Sequence, residues 1–255
     1  MIRGRKMNYL DLFPQLHFAN EQEQKRLNEY CQTKGVYLHK QVYEALLHWE
    51  SKTKVVSYEE LSGLIRYDKT LRYGLYVYLS AAEEYLRAVV CEKLDVAKEI
   101  AEPLSCKILQ YNQQKKEWIE ETPLIEKKDF NHSHLYAATF SKHCGLHTLI
   151  QIVKMHKLVE REQDWDLVKE LRNKVMHHNL LVLSHYTDRT HIEQEIASVE
   201  QASAALYRVL PNDGMRKSLN KAVNIGNFKD GDLGAMPNAK IMRLGRFENG
   251  VFTKI

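Results

Sequence analysis

The chain has 255 residues, 44% hydrophobic and 27% charged, with a formal net charge of +4. That length can bury one substantial core, and five prolines and eleven glycines, set against abundant Leu, Glu, Lys, Gln and Ala, favour helices. No run of 18 apolar residues exists and no apolar segment of signal length follows Arg3, Arg5 and Lys6, so the expectation is a cytoplasmic, all-α protein with no membrane partner.

Four cysteines, Cys31, Cys91, Cys106 and Cys144, are far apart and form no Cys-x-x-Cys pair, so reduced thiols are expected. Residues 1–54 read as an amino-terminal helical extension. Leu10, Leu12, Phe13, Leu16 and Phe18 are placed against the body, and helices are predicted over about 20–33 and 36–51, separated by the stop Lys34-Gly35. Ser57 with Glu60 three residues on is a capping box. It predicts a short helix to about Tyr67, then a long one from about Lys69 to Glu99 with Leu71, Leu75, Val77, Tyr78, Leu86, Val89 and Val90 facing the core. Residues 104–131 read as a polar helical connection. A helix from about Leu146 to Glu160, with Leu149, Ile150, Ile152, Val153 and Met155 inside, leads to Asp164, a candidate N-cap.

The stretch from Leu167 to Leu183 then reads as the helix that organises the domain of residues 55–210. Leu167, Val168, Leu171, Val175 and Met176 form one apolar stripe. Asn173 and His177 are four apart and stack on one another, so the amide can orient the imidazole. Arg172 lies about 140° from His177 round the axis and carries a permanent cation on a long stem. A guanidinium grips phosphate bidentately, and histidine can take or give a proton. RNA suits that outfit because its 2′-OH is an internal nucleophile that needs no metal.

Beyond this helix, residues 184–190 read as a turn and residues 193–210 as a last helix ended by Pro211. Residues 211–255 form a basic, Gly-rich segment with eight Lys or Arg against four acids, hence 8 − 4 = +4, and with six of the eleven glycines. Its end, Ile241–Phe247 and Val251–Ile255 about Asn249-Gly250, predicts a β-hairpin with a primed turn, which must dock on the helices or on a partner.

The string Leu171-Arg172-Asn173-Lys174-Val175-Met176-His177-His178 closely resembles the signature of the HEPN superfamily as it stands in the abortive-infection (Abi-like) proteins of bacteria. Tyr58-Glu59-Glu60-Leu61, Tyr67-Asp68-Lys69-Thr70-Leu71-Arg72 and Glu83-Glu84-Tyr85-Leu86-Arg87 resemble that family's first helical pair, in the same order. The resemblance spans roughly residues 55–185. It implies a HEPN-like helical bundle and metal-independent RNA cleavage without a cofactor, in phage defence, abortive infection or a toxin–antitoxin pair.

On that basis His177 is the general base or acid, Arg172 stabilises charge on the phosphate, and Asn173 orients the imidazole. His178 is either a second proton-transfer group or a core histidine, and Glu83 and Arg87 position Arg172 or His177. Lys169, Lys174, Arg216 and Lys217 are expected to contact RNA. HEPN ribonucleases oppose two motif copies, whereas this chain has one, so a homodimer through the motif helix is expected, with an antitoxin protein or small RNA as a further partner. Where the Abi-like proteins continue with an Arg and an aromatic residue, this chain has Asn179-Leu180-Leu181, so no extra phosphate contact is expected there. Two alternatives stay open. One is a HEPN domain that binds RNA or protein without cutting. The other is a metal-dependent hydrolase on His143 and His147, which are four apart near Cys144 and His132.

Overall fold

The computed structural model describes residues 9–49, 55–94, 108–112, 117–121, 144–177, 180–183, 189–224 and 244–254. Among them are seven α-helices and three two-stranded sheets, so the all-α expectation holds, with small strands added.

A 3-10 turn over Tyr9–Leu12 carries the chain into β1 (Leu16–His17). Phe13 and Leu16 are buried there, and Leu10, Leu12 and Phe18 pack against the same core. Asn20 caps α1 (Glu21–Lys34) by accepting the Glu23 N–H at 3.1 Å. Gly35, at φ 84°, stops it as the sequence predicts. In α2 (Val36–Trp49), Val42, Tyr43 and Ala45 face inward, and so does His39. Burial pushes the His39 imidazole below its ordinary value, as does the charge of Lys34, while a contact with the Gly35 carbonyl opposes them.

Next, β2 (Val56–Ser57) pairs in parallel with β1. The Ser57 capping box is present in full and starts α3 (Tyr58–Lys93). Two helices were expected here, and one unbroken helix of 36 residues is found. Neither Gly nor Pro interrupts Arg66 to Arg72. Asp68, which looks like a breaker, is instead a buried acceptor paired with Arg72 one turn on at 2.6 Å. Val77, expected in the core, is 52% exposed.

The polar connection is also corrected. Residues 108–112 and 117–121 form an antiparallel hairpin, β3 (Ile108–Asn112) and β4 (Glu117–Glu121), rather than a helix. Tyr111 lies opposite Trp118 in its register, and the aromatic and β-branched content of the two segments suits strands better than helix. Next, α4 (Leu146–Met155) ends five residues before the predicted Glu160, because Lys157 takes a left-handed φ of 50°. Met155, at its end, is exposed.

The motif helix, α5 (Glu162–Met176), begins after Arg161, whose φ is 56°. Asp164 is not its N-cap. Its carboxylate instead accepts two hydrogen bonds from Arg208 of α6 (Arg189–Val209), at 2.8 and 2.6 Å, and this hydrogen bonding raises the Arg208 pKa above its ordinary value. The apolar stripe of α5 is Trp165, Val168, Leu171 and Val175, all buried, each worth about 1.5–3 kcal/mol relative to exposure. It packs most extensively on α6 and also on α3. Tyr85 stacks on Trp165 while the earlier Glu83 meets the later Arg172, so α3 and α5 run in opposite senses.

A helix that the sequence reading missed, α7 (Asp213–Asn224), occupies the start of the supposed basic tail and packs on α3. A Cβ added at Gly74 would stand 3.2 Å from that of Ala222, so glycine lets the two helices come close. The carboxy-terminal hairpin is present as β5 (Arg246–Glu248) and β6 (Val251–Thr253). Its two-residue turn has φ of 50° at Asn249 and 81° at Gly250, the primed geometry expected of Asn-Gly. It docks on the helices: Phe247 is fully buried and meets Tyr207 edge-on. Asn224 bonds both its N–H and its carbonyl. Buried residues from Phe13 to Phe247 form one continuous core. Among the described residues, no helix is long and apolar enough to cross a membrane.

Candidate active site at the end of the motif helix

Helix α5 does not continue to Leu183 as predicted. It ends at Met176, and His177 is its C-cap, with φ −82° and ψ 8°. Four apolar residues in a row cannot share one face of a helix. Leu180, Leu181, Val182 and Leu183 therefore leave it as a non-helical segment with all four side chains buried. A buried loop must satisfy its backbone polar groups. Asp68 accepts the Leu181 N–H at 2.7 Å, and Gln41 of α2 donates to the Leu183 carbonyl. Burial pushes the Asp68 carboxyl above its ordinary value, against Arg72 and the Leu181 N–H, which draw it down.

His177 itself is exposed, and its backbone N–H still reaches the Asn173 carbonyl at 3.1 Å, so the two residues remain one turn apart. The expected amide-to-imidazole hydrogen bond is not formed among the described residues. The Asn173 Oδ1 instead faces Arg172 Nη1 at 3.5 Å, a long contact. His178 lies outside the described residues.

Arg172 is held from the other side by α3. Its Nε stands 3.6 Å from Glu83 Oε2, while the other oxygen of Glu83 binds Arg87. Glu83 thus sits between two guanidiniums, and the three side chains are only 16–29% exposed. At 3.6 Å the contact with Arg172 is an ion pair rather than a hydrogen bond, and the Nε proton, shielded from water, has no acceptor among the described residues. Glu83 thus serves two cations, and the exposed His177 follows Arg172 by five residues at the end of the same helix. That arrangement can attract and orient a phosphate.

The remaining candidates are dispersed. Lys169 and Lys174 are half-buried on α5. Arg216 is half-buried on α7 and committed within the chain: it pairs with Asp213 at 2.9 Å and donates to the Leu210 carbonyl at 2.8 Å. Lys217 beside it is exposed. His147 is exposed in the first turn of α4, next to the buried Cys144, and His132 and His143 lie outside the described residues. Among the described residues, no group of three or more His, Cys, Asp or Glu side chains is gathered as a metal would need.

Asp68 and Gln41, which fix the segment behind His177, were not foreseen. The signal for Asp68 was present: it falls in line with Leu61, Leu64, Leu71 and Leu75, where a polar residue must be buried and partnered. Gln41 gave none. No family model, curated protein or solved structure matches the chain.

Proposed function

We propose that the protein is a metal-independent endoribonuclease of the HEPN type, with a site completed across a homodimer. The observation that supports it most directly is the exposed His177 at the end of α5, five residues after an Arg172 that Glu83 steadies from α3. In the reaction, His177 takes the proton of a ribose 2′-OH as its oxygen attacks the adjacent phosphorus. The bond to the 5′-oxygen breaks and that oxygen receives a proton, leaving a 2′,3′-cyclic phosphate and a 5′-OH. Arg172 stabilises the added negative charge on the phosphate, an effect commonly worth 10²–10³ in rate when one donor is removed.

One imidazole cannot serve both proton transfers in a single step, so the second is assigned to His177 of a second copy, related by a two-fold axis near the end of α5. A role in phage defence or a toxin–antitoxin pair goes with this reading, as does restraint by a protein or small RNA. The test is incubation of the purified protein with total RNA in the presence of EDTA, beside His177→Ala. Fragments ending in cyclic phosphate are expected from the parent protein and a loss of about 10²-fold or more from the variant. Equal cleavage by both, or activity that EDTA abolishes, would overturn it.

A further inference from the structure

The outer face of α3 carries large side chains that the core does not use. Tyr73 is 77% exposed, Tyr76 46% and Val77 52%. At 100° per residue these three fall within one arc of about 100° that also holds Arg66, Lys69, Glu59 and Glu84, all exposed, and Arg87. Glu83 follows Tyr76 by seven residues, two turns or about 10 Å along the same side of the helix. The stripe therefore runs from two exposed cations, past two tyrosine rings and the acid Glu84, to the Glu83–Arg87–Arg172 cluster.

We propose that this stripe is the track for the substrate, and that the substrate is single-stranded RNA whose unpaired bases stack on Tyr73 and Tyr76 while Arg66 and Lys69 follow its backbone. The inference rests on the ribonuclease reading and narrows it to unpaired strands. Flat rings interleaved with cations are what sequence-tolerant binding of single strands uses, since every base offers a π-face. Paired bases cannot leave the stack to meet the rings. A second copy of the chain is the rival occupant. A stable interface takes about 800 Å² from each partner around an apolar centre, whereas this stripe offers three large apolar side chains on one helix, bounded by Glu59, Arg66, Lys69 and Glu84. It is too narrow and too charged for that, and wide enough for a strand.

Binding is measured by fluorescence anisotropy with labelled 2′-O-methyl RNA of about a dozen nucleotides, single-stranded or annealed to its complement. The probe lacks the nucleophile, so binding is read apart from cleavage. The expected result is preference for the single strand, weakened at least about fivefold by Tyr73→Ala and again by Tyr76→Ala, with unchanged circular dichroism. Arg66→Gln and Lys69→Gln should each lower the salt slope by about 1. Binding unaffected by the tyrosine changes, or equal affinity for the duplex, overturns the proposal. So does self-association, seen by light scattering, that the tyrosine variants abolish while strand binding persists. If the stripe binds single strands as stated but the parent protein cuts no natural RNA, this inference stands and the nuclease reading falls.

Discussion

Two buried polar side chains, His39 and Asp68, show how local environment sets behaviour at the scale of the residue. His39 is 3% exposed, stacks on Tyr30 and has its pKa lowered from 6.5, chiefly by burial. A lowered folded value means that the unfolded chain binds the proton first, so the stabilisation is complete above about pH 6.5 and is lost as pH falls through and below it. Urea midpoints at pH 7.5 and 5.5 should therefore fall more steeply for the parent protein than for His39→Phe, and parallel lines would refute this. Asp68→Ala strands both the Leu181 N–H and the Arg72 guanidinium. It should cost about 3–5 kcal/mol in urea unfolding, as expected when one partner of a buried ion pair is removed. By contrast His177→Ala, at an exposed position, should leave the urea midpoint within about 0.5 kcal/mol of the parent while cleavage is lost.

At the scale of the element, what could be read from sequence was whatever short-range chemistry decides. Gly35 and the pair Ser57 and Glu60 marked helix ends correctly because caps are made by residues within one turn. Asn249-Gly250 marked its hairpin because only positive φ values suit a two-residue turn. Gly250→Val would force a branched side chain into φ 81° with its Cβ 2.7 Å from the Tyr207 ring. A loss of about 1–3 kcal/mol is expected, visible as a lowered melting temperature, whereas Asn249→Gly should be close to neutral. The failures were of the opposite kind. The end of α5 at Met176 is imposed by burial of Leu180–Leu183 against Asp68 and Gln41, contacts 113 and 142 residues away in sequence. Helix α7 was hidden by a charge count over a segment whose buried Leu219 and Val223 are four residues apart. Of the candidate site, the juxtaposition of Glu83 with Arg172 was anticipated through the resemblance, and the turn of the Asn173 amide toward Arg172 was not.

At the scale of the whole molecule, the nuclease reading requires two chains. Light scattering on the purified protein is expected to give twice the mass of one chain. A single-chain mass at high concentration would leave His177 without its opposite number and would turn attention to a binding role. A two-chain assembly also predicts dominance: mixing excess His177→Ala protein with the parent before assay should suppress cleavage beyond simple dilution, because each mixed pair lacks one proton-transfer group. Suppression no greater than dilution would show that each chain cuts alone.

The run Leu180–Leu183 has a further consequence. It is gripped on one flank by Gln41 in the second helix and on the other by Asp68 in the third, so one of its two moorings lies in a helix outside the stretch that carries the resemblance. A shortened protein beginning near residue 55 would keep every residue of the motif and still lose one of the two moorings. Amide exchange should then quicken at Leu181 and its neighbours first. The second helix thus helps hold the segment that follows the motif helix in place.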